Sequence, residues 1–335
     1  AYATNCNLLI VYLGFFWPTA VSGFWRALII TLITVALTTI NYMGVRDAAR
    51  VSNFFTIAKL LPMALFIAAG LFFMAPDNFR LGDYPSYGSF STSVLLLLYA
   101  FTGFENASVP AGEIVNPRRN LPFAILMGLG VVTLVYLLIQ TVSIGTLRDL
   151  GNTERPLADA AALFLGPVGG SIIAAGAIIS VLGNLNVNLL SSPRILFAMS
   201  SQGDLPKVLS KVHERFRTPH VAILATAILI LALTLSSSLI YALTVSTIAR
   251  LLAYAATCAA LPTLRYKKGV PDALVKIPGG IIISVLAILL SIWLLTNSTG
   301  IEARDSAIAV AVGITIYLGY KIARGRGSKR ARERS

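Results

Sequence analysis

Histidine, cysteine and charge are all scarce in this chain, and each scarcity excludes something. The two cysteines, Cys6 and Cys258, lie far apart in apolar runs. They cannot make a disulfide framework or a metal site, and they read as free thiols packed as small hydrophobes. The two histidines, His213 and His220, sit in a basic loop without metal-ligand spacing and read as solvated. No His/Glu zinc pair, Ser/His/Asp set or phosphate-cradling loop stands at a workable spacing. No enzyme chemistry, metal or cofactor is therefore expected. Charged residues make up 12% of the chain, against about 25% in soluble domains. No polar stretch is long enough to form a soluble catalytic domain.

Apolar residues fill the space instead. They form 56% of the chain, with a mean hydropathy of +0.78, the composition of an all-α polytopic membrane protein. Stretches of about 20 apolar residues, the length that crosses a hydrocarbon core, predict about ten transmembrane helices. They fall at roughly 2–17, 25–45, 52–74, 91–113, 121–145, 163–189, 219–236, 239–262, 278–296 and 305–322. Two connections are longer than the rest, 146–160 and 190–218. The second begins LLSSPRILFAMSSQGDLP, with apolar residues at helical spacing and then a Gly203-Asp204-Leu205-Pro206 stop. It reads as an amphipathic cytoplasmic extension, or as a surface helix that links two spans.

Basic residues are unevenly placed. The net charge is +13, and seven of the 27 Lys and Arg residues crowd into the tail from Lys321 to Ser335. With that tail inside, the alternating inside loops hold Arg46 and Arg50; Arg118 and Arg119; Lys207, Lys211, Arg215 and Arg217; and Arg265, Lys267, Lys268 and Lys276. The outside loops hold Arg80, Arg148, Arg155 and Arg304, diluted by Asp77, Asp83, Asp149, Glu154 and Glu302. This asymmetry predicts a multi-pass protein of the cytoplasmic membrane with its C-terminus in the cytoplasm. It divides the chain into a transmembrane domain, 1–322, and a basic cytoplasmic tail, 323–335. A basic run directly after a membrane helix touches anionic lipid rather than nucleic acid. The chain begins at Ala1, without Met, inside an apolar run and with no basic stretch or cleavage site before it. That is not a signal peptide, and the expectation is a longer protein whose N-terminal part is missing.

The segment from Ser91 to Pro122 carries the strongest functional signal. An apolar helix runs into Thr102-Gly103, where a helix breaks easily, and the carboxylate of Glu105 follows while still at membrane depth. A bilayer offers no water to loose backbone groups, so a break there needs a protein-lined cavity. A broken helix that bears an ionisable group has the form of a transporter binding site. Tyr99, Phe101 and Phe104 flank the break, and at least one of Tyr99 and Phe101 is expected to face its cavity.

Three further charges need partners or water. Lys59 lies about eight residues into its helix, roughly 12 Å deep at 1.5 Å per residue. Pro62 leaves the Ala58 carbonyl without its helical donor. Lys59 reads as a proton carrier, as a fixed cation in place of a bound sodium ion, or as a lysine snorkelling to the cytoplasm. Glu105 reads as a gate, a proton sensor, or a structural acceptor holding the break. Arg250, always charged, reads as a clamp on a carboxylate or on loose carbonyls. Glu113 with Arg118 and Arg119 near the inner surface forms either an ion-pair lock or a plain interfacial cluster.

Three stretches together resemble amino acid permeases of the amino acid–polyamine–organocation (APC) superfamily. They are Asn41-Tyr42-Met43-Gly44-Val45-Arg46 followed by Lys59; Ala100-Phe101-Thr102-Gly103-Phe104-Glu105 through Ala111-Gly112-Glu113-Ile114-Val115-Asn116-Pro117-Arg118-Arg119 and Pro122; and Pro193-Arg194-Ile195-Leu196-Phe197-Ala198-Met199 through Pro206. The resemblance implies an inverted-repeat, five-plus-five transporter fold with two extra C-terminal helices, in which this chain supplies helices three to twelve and lacks the first two. It puts the unwound sixth helix on Phe101, Thr102, Gly103 and Phe104, an aromatic gate near Tyr99 or Phe101, and the acidic gating position on Glu105. It matches the fifth-helix lysine of proton-coupled members to Lys59. From the eighth helix it brings Ser180, Asn184 and Asn188 toward the substrate. The function it implies is secondary transport of amino acids or related organocations such as polyamines, coupled to protons by alternating access. The alternatives are a sodium-independent exchanger and a non-transporting membrane sensor or subunit.

Overall fold

A computed structural model describes residues 1–44, 48–79, 84, 86–109, 114–267, 274–296 and 300–332; for 48–53, 301–302 and 321–332 it describes the backbone alone. The described residues form α-helices and short 3-10 turns, with no strand. The helices are α1 (Tyr2–Leu13), α2 (Gly23–Met43), α3 (Ala48–Gly70), α4 (Tyr87–Ala100), α5 (Pro117–Thr146), α6 (Pro156–Gln202), α7 (His220–Ser236), α8 (Leu239–Tyr266), α9 (Gly280–Thr296) and α10 (Gly300–Arg332).

Helix ends depart from the hydropathy reading in informative ways. The stretch expected to span at 2–17 is helical over 12 residues only, a rise of about 18 Å against a hydrocarbon core of about 30 Å. The span expected at 163–189 belongs to a 47-residue helix, α6, that bends at Gly166 (φ 70°, ψ −173°). Only glycine takes that conformation without strain, and Pro167 then opens the second piece as a first-turn proline. The expected extension after residue 190 is that same helix continuing without a break to Gln202. It stops at Gly203 in the left-handed region (φ 83°), whose N–H reaches the Met199 and Ser200 carbonyls. Among the described residues, the segments able to cross a membrane by length and composition are Gly23–Met43, Tyr87–Ser108, Pro117–Thr146, Pro156–Gln202 and Leu239–Tyr266. Phe54–Gly70, His220–Ser236 and Gly280–Thr296 are apolar but shorter.

The chain divides into two compact units. Unit 1 comprises 1–82, 135–239 and 313–335; unit 2 comprises 83–134 and 240–312. In unit 1, one apolar cluster joins α1, α2, α6 and α7 through Tyr2, Cys6, Leu9, Ile10, Ile30, Leu185, Leu189 and Ala227. A second joins α1, α3, α5 and α6 through Tyr12, Phe66, Val142, Ala161, Ile173 and Ala174. In unit 2, Leu95, Leu251 and Leu294 bring α4, α8 and α9 together.

Two glycines set how closely α3 approaches α6. A Cβ on Gly176 would stand 2.6 Å from Pro62 Cγ, and one on Gly183 would stand 3.0 Å from the Phe55 ring. Small residues let backbones approach where no hydrophobic drive toward water exists. Gly176→Val is therefore expected to destabilise the protein by about 1–3 kcal/mol through overpacking. Gly128→Ala, where a Cβ meets nothing within 4 Å, should leave stability equal or higher. Thermal unfolding in detergent checks both, and an unchanged melting temperature for Gly176→Val would contradict the close approach.

Candidate functional site

In unit 2 the helix break is built by the chain itself. α4 stops at Ala100. Its last turn tightens as the Phe101 and Thr102 N–H groups reach the Leu98 and Tyr99 carbonyls, each at 3.1 Å. The Thr102 hydroxyl also donates to the Tyr99 carbonyl, at 2.7 Å. Gly103 then turns left-handed (φ 109°, ψ −15°), and a single 3-10 turn, Phe104–Ser108, follows. A side chain at Gly103 would be strained there.

Glu105 folds back over the break. Its Oε2 accepts the Gly103 N–H at 2.8 Å and the Tyr254 hydroxyl at 2.9 Å, while Oε1 accepts Nε of Arg250 at 2.8 Å. Arg250 spends a second donor on the Ser246 hydroxyl at 2.6 Å. The pair is part-buried, with the Arg250 and Glu105 side chains 19% and 34% exposed. Ser246, Arg250 and Tyr254 follow one another at four-residue spacing, so a single face of α8 presents all three. Aromatic rings close the cluster. Phe104 stacks on Tyr254 with centroids 5.5 Å apart and planes 25° apart, and the Arg250 guanidinium lies 5.9 Å from the Tyr99 ring centroid. Phe101 is half-buried.

Unit 1 holds a different arrangement. A cavity of about 190 Å³ has Lys59, Pro62, Met63 and Phe66 of α3, Asn5, Leu8 and Tyr12 of α1, and Gly176, Ala177, Ser180, Val181 and Asn184 of α6 in its wall. Lys59 is half-buried. Among the described residues, its amine has neither a hydrogen bond nor an ion pair. Ser180 and Asn184 thus line the same cavity as Lys59. Asn188, expected to face the same way, instead donates to the Asn184 carbonyl at 2.8 Å and is not in that wall.

Other expected residues are placed elsewhere. Arg118 is exposed in the first turn of α5, and Glu113 lies outside the described residues, as do Arg46 and the side chains of the basic tail. The two histidines are not solvated as expected. Both are half-buried, because the His213 ring packs edge-on against Tyr42 (5.4 Å) and His220 (5.5 Å).

Sequence reasoning passed over Tyr254 and Ser246, although their spacing from Arg250 was in view. It also passed over Asn5 and Tyr12, which only the packing of α1 on α6 brings to Lys59. Arg26 was missed entirely. It donates to Asn7 Oδ1 at 2.6 Å and to the Ser237 and Thr234 carbonyls at 3.2 and 3.4 Å, tying α1 and α2 to the open end of α7.

Long apolar helices and one helix opened around a carboxylate with three donors define a polytopic membrane protein built on a discontinuous helix. The chain belongs to the amino acid permease family, whose profile matches residues 1–318. It is 29% identical to the branched-chain amino acid permease BcaP of Bacillus subtilis, over 86% of this chain and 63% of that protein. It is 30% identical to the serine/threonine exchanger SteT of the same organism, over 85% of this chain and 67% of the relative. It is 29% identical to the human large neutral amino acids transporter small subunit 2, over 87% and 56% respectively. The chain thus spans between about half and two thirds of the length of these relatives.

The Glu105–Arg250 pair has a measurable consequence. A double-mutant cycle of Glu105→Gln and Arg250→Gln is expected to give a coupling energy of about 1–3 kcal/mol, within the range for directly bonded side chains. Tyr254→Phe, which removes one donor, should cost about 1 kcal/mol. Additive single effects in thermal unfolding would show that the two groups are not coupled.

Proposed function

We propose that this chain forms the main part of a secondary transporter of amino acids, or of related organocations, that works by alternating access around the opened helix. The observation that carries the reading is the break at Phe101–Gly103, with its backbone turned out of helical pairing and its geometry held by Glu105. A discontinuous helix at membrane depth is the form that a transporter's midplane site takes. The relatives support amino acids as the substrate class, since their names specify branched-chain, serine/threonine and large neutral amino acids.

Within this reading Glu105 is a latch rather than a proton carrier. Three donors already hold its carboxylate in one geometry over the break. Lys59 is the coupling group. It is a half-buried amine without a fixed counter-charge among the described residues, on a largely apolar wall that also holds Asn5, Ser180 and Asn184, and near Pro62 of its own helix. Tyr99 or Phe101 occludes the substrate, with Thr102, Gly103 and Phe104 as its contacts. Arg250 is a structural charge, as are Arg118 and Glu113 near the inner surface. The asymmetry of Lys and Arg supports the cytoplasmic membrane, a C-terminus inside, and anionic lipid against the basic tail 323–335. The backbone of α10 continues through that boundary to Arg332.

A second reading is sodium-independent exchange, in which Lys59 keeps its proton throughout and no proton crosses. One relative is named an exchanger. Uptake by the full-length protein in proteoliposomes separates the two. Under proton coupling, an inward proton gradient drives amino acid accumulation, and Lys59→Ala abolishes that drive while leaving the melting temperature unchanged. Under exchange, counterflow proceeds without any pH change and the gradient has no effect. Absence of both uptake and counterflow, with substrate still bound, would mark a sensor or subunit instead. Glu105→Gln is expected to slow transport with its pH profile unchanged; a shifted profile would return Glu105 to proton transfer.

A further inference from the structure

A second cavity of unit 1, about 730 Å³, opens where α2 ends and the chain between α6 and α7 folds back over it. Among the described residues, its wall holds Arg194 of α6, Arg215 and Arg217 of the connecting loop, the polar side chains of Asn41 and Thr218, and no carboxylate. All three arginines are exposed, and none of their side chains has a hydrogen bond or ion pair among the described residues. Like charges gathered around one space raise its potential and draw an anion.

The loop that carries two of them is held in place. The Thr218 hydroxyl donates to the Tyr42 carbonyl at 2.7 Å. The His213 N–H reaches the Thr218 carbonyl at 2.8 Å, and the Arg217 N–H reaches the His213 carbonyl at 2.9 Å. A Cβ on Gly44 would come within 3.3 Å of the Phe216 carbonyl oxygen, so the loop lies directly on the end of α2. Arg217 itself is left-handed (φ 57°), an uncommon conformation for a side-chain-bearing residue and one that costs energy to hold. At the same wall α7 begins after Pro219 with no side-chain cap, which adds the positive end of a helix to the three guanidinium groups.

We propose that this cavity binds a phosphate-bearing anion, with the phosphate held by Arg194, Arg215 and Arg217 at the N-terminal end of α7. Guanidinium groups pair with phosphate oxygens through parallel donors. The source that fits the setting is the headgroup of an anionic phospholipid, because the apolar side chains of Met43, Leu190 and Ile223 share the wall with the arginines. Placement in the inner leaflet rests on the orientation proposed above; the anion site does not.

The test titrates the purified full-length protein in detergent, by calorimetry, with short-chain phosphatidylglycerol, with short-chain phosphatidylcholine and with inorganic phosphate. Phosphatidylglycerol should bind saturably and phosphatidylcholine much more weakly. The triple variant Arg194→Gln/Arg215→Gln/Arg217→Gln should weaken binding about a hundredfold, about fivefold for each arginine. Inorganic phosphate binding as tightly as the lipid, and lost in the same variant, would support the phosphate site and assign it to a soluble anion. No saturable binding of either probe would overturn the proposal, as would undiminished binding by the triple variant at an unchanged melting temperature. Arg217→Gly, which relieves the left-handed strain as it removes one charge, keeps the test independent of folding. It should bind about fivefold more weakly while unfolding at an equal or higher temperature, and equal affinity would remove Arg217 from the site.

Discussion

A helix that opens inside a membrane leaves backbone groups that nothing outside the protein can satisfy, and the Glu105 carboxylate answers that constraint here. It takes the Gly103 N–H from its own segment and binds two side chains of α8, so the break is defined by three directed bonds. Arginine is suited to the partner position because its planar fork can serve two acceptors at once, Glu105 through Nε and Ser246 through a terminal nitrogen. A lysine would offer a single point of charge. Partial exposure of both partners keeps the desolvation penalty below that of a fully buried pair.

Unit 1 treats its charge in the opposite way. Lys59 sits against an apolar wall on a helix drawn close to α6 by two glycines, and no carboxylate compensates it among the described residues. Around it α1, α2, α6 and α7 share a buried cluster, and Arg26 joins α1 and α2 to the end of α7.

Family membership and substrate are different matters in this protein. The relatives at about 30% identity bear names that specify branched-chain, hydroxylated and large neutral side chains. The shared feature of those molecules is the amino and carboxyl group on one carbon. Selectivity depends on cavity shape, and shape depends on small differences among apolar residues that leave hydropathy unchanged.

Composition and pattern by themselves determined that this is an all-α membrane protein, that its helices are interrupted near Thr102-Gly103, and that Lys59, Glu105 and Arg250 are charges needing explanation. These follow from local physics: apolar length, the conformational freedom of glycine, and the cost of an ion in hydrocarbon. Tertiary structure alone decided the pairings. That Glu105 meets Arg250 across 145 positions, that Tyr254 joins them, that α1 brings Asn5 and Tyr12 to the wall beside Lys59, and that His213 and His220 are packed rather than solvated all depend on which helix faces lie together. The hydropathy pattern is nearly blind to that choice, because in lipid the outward and inward faces of a helix are both apolar.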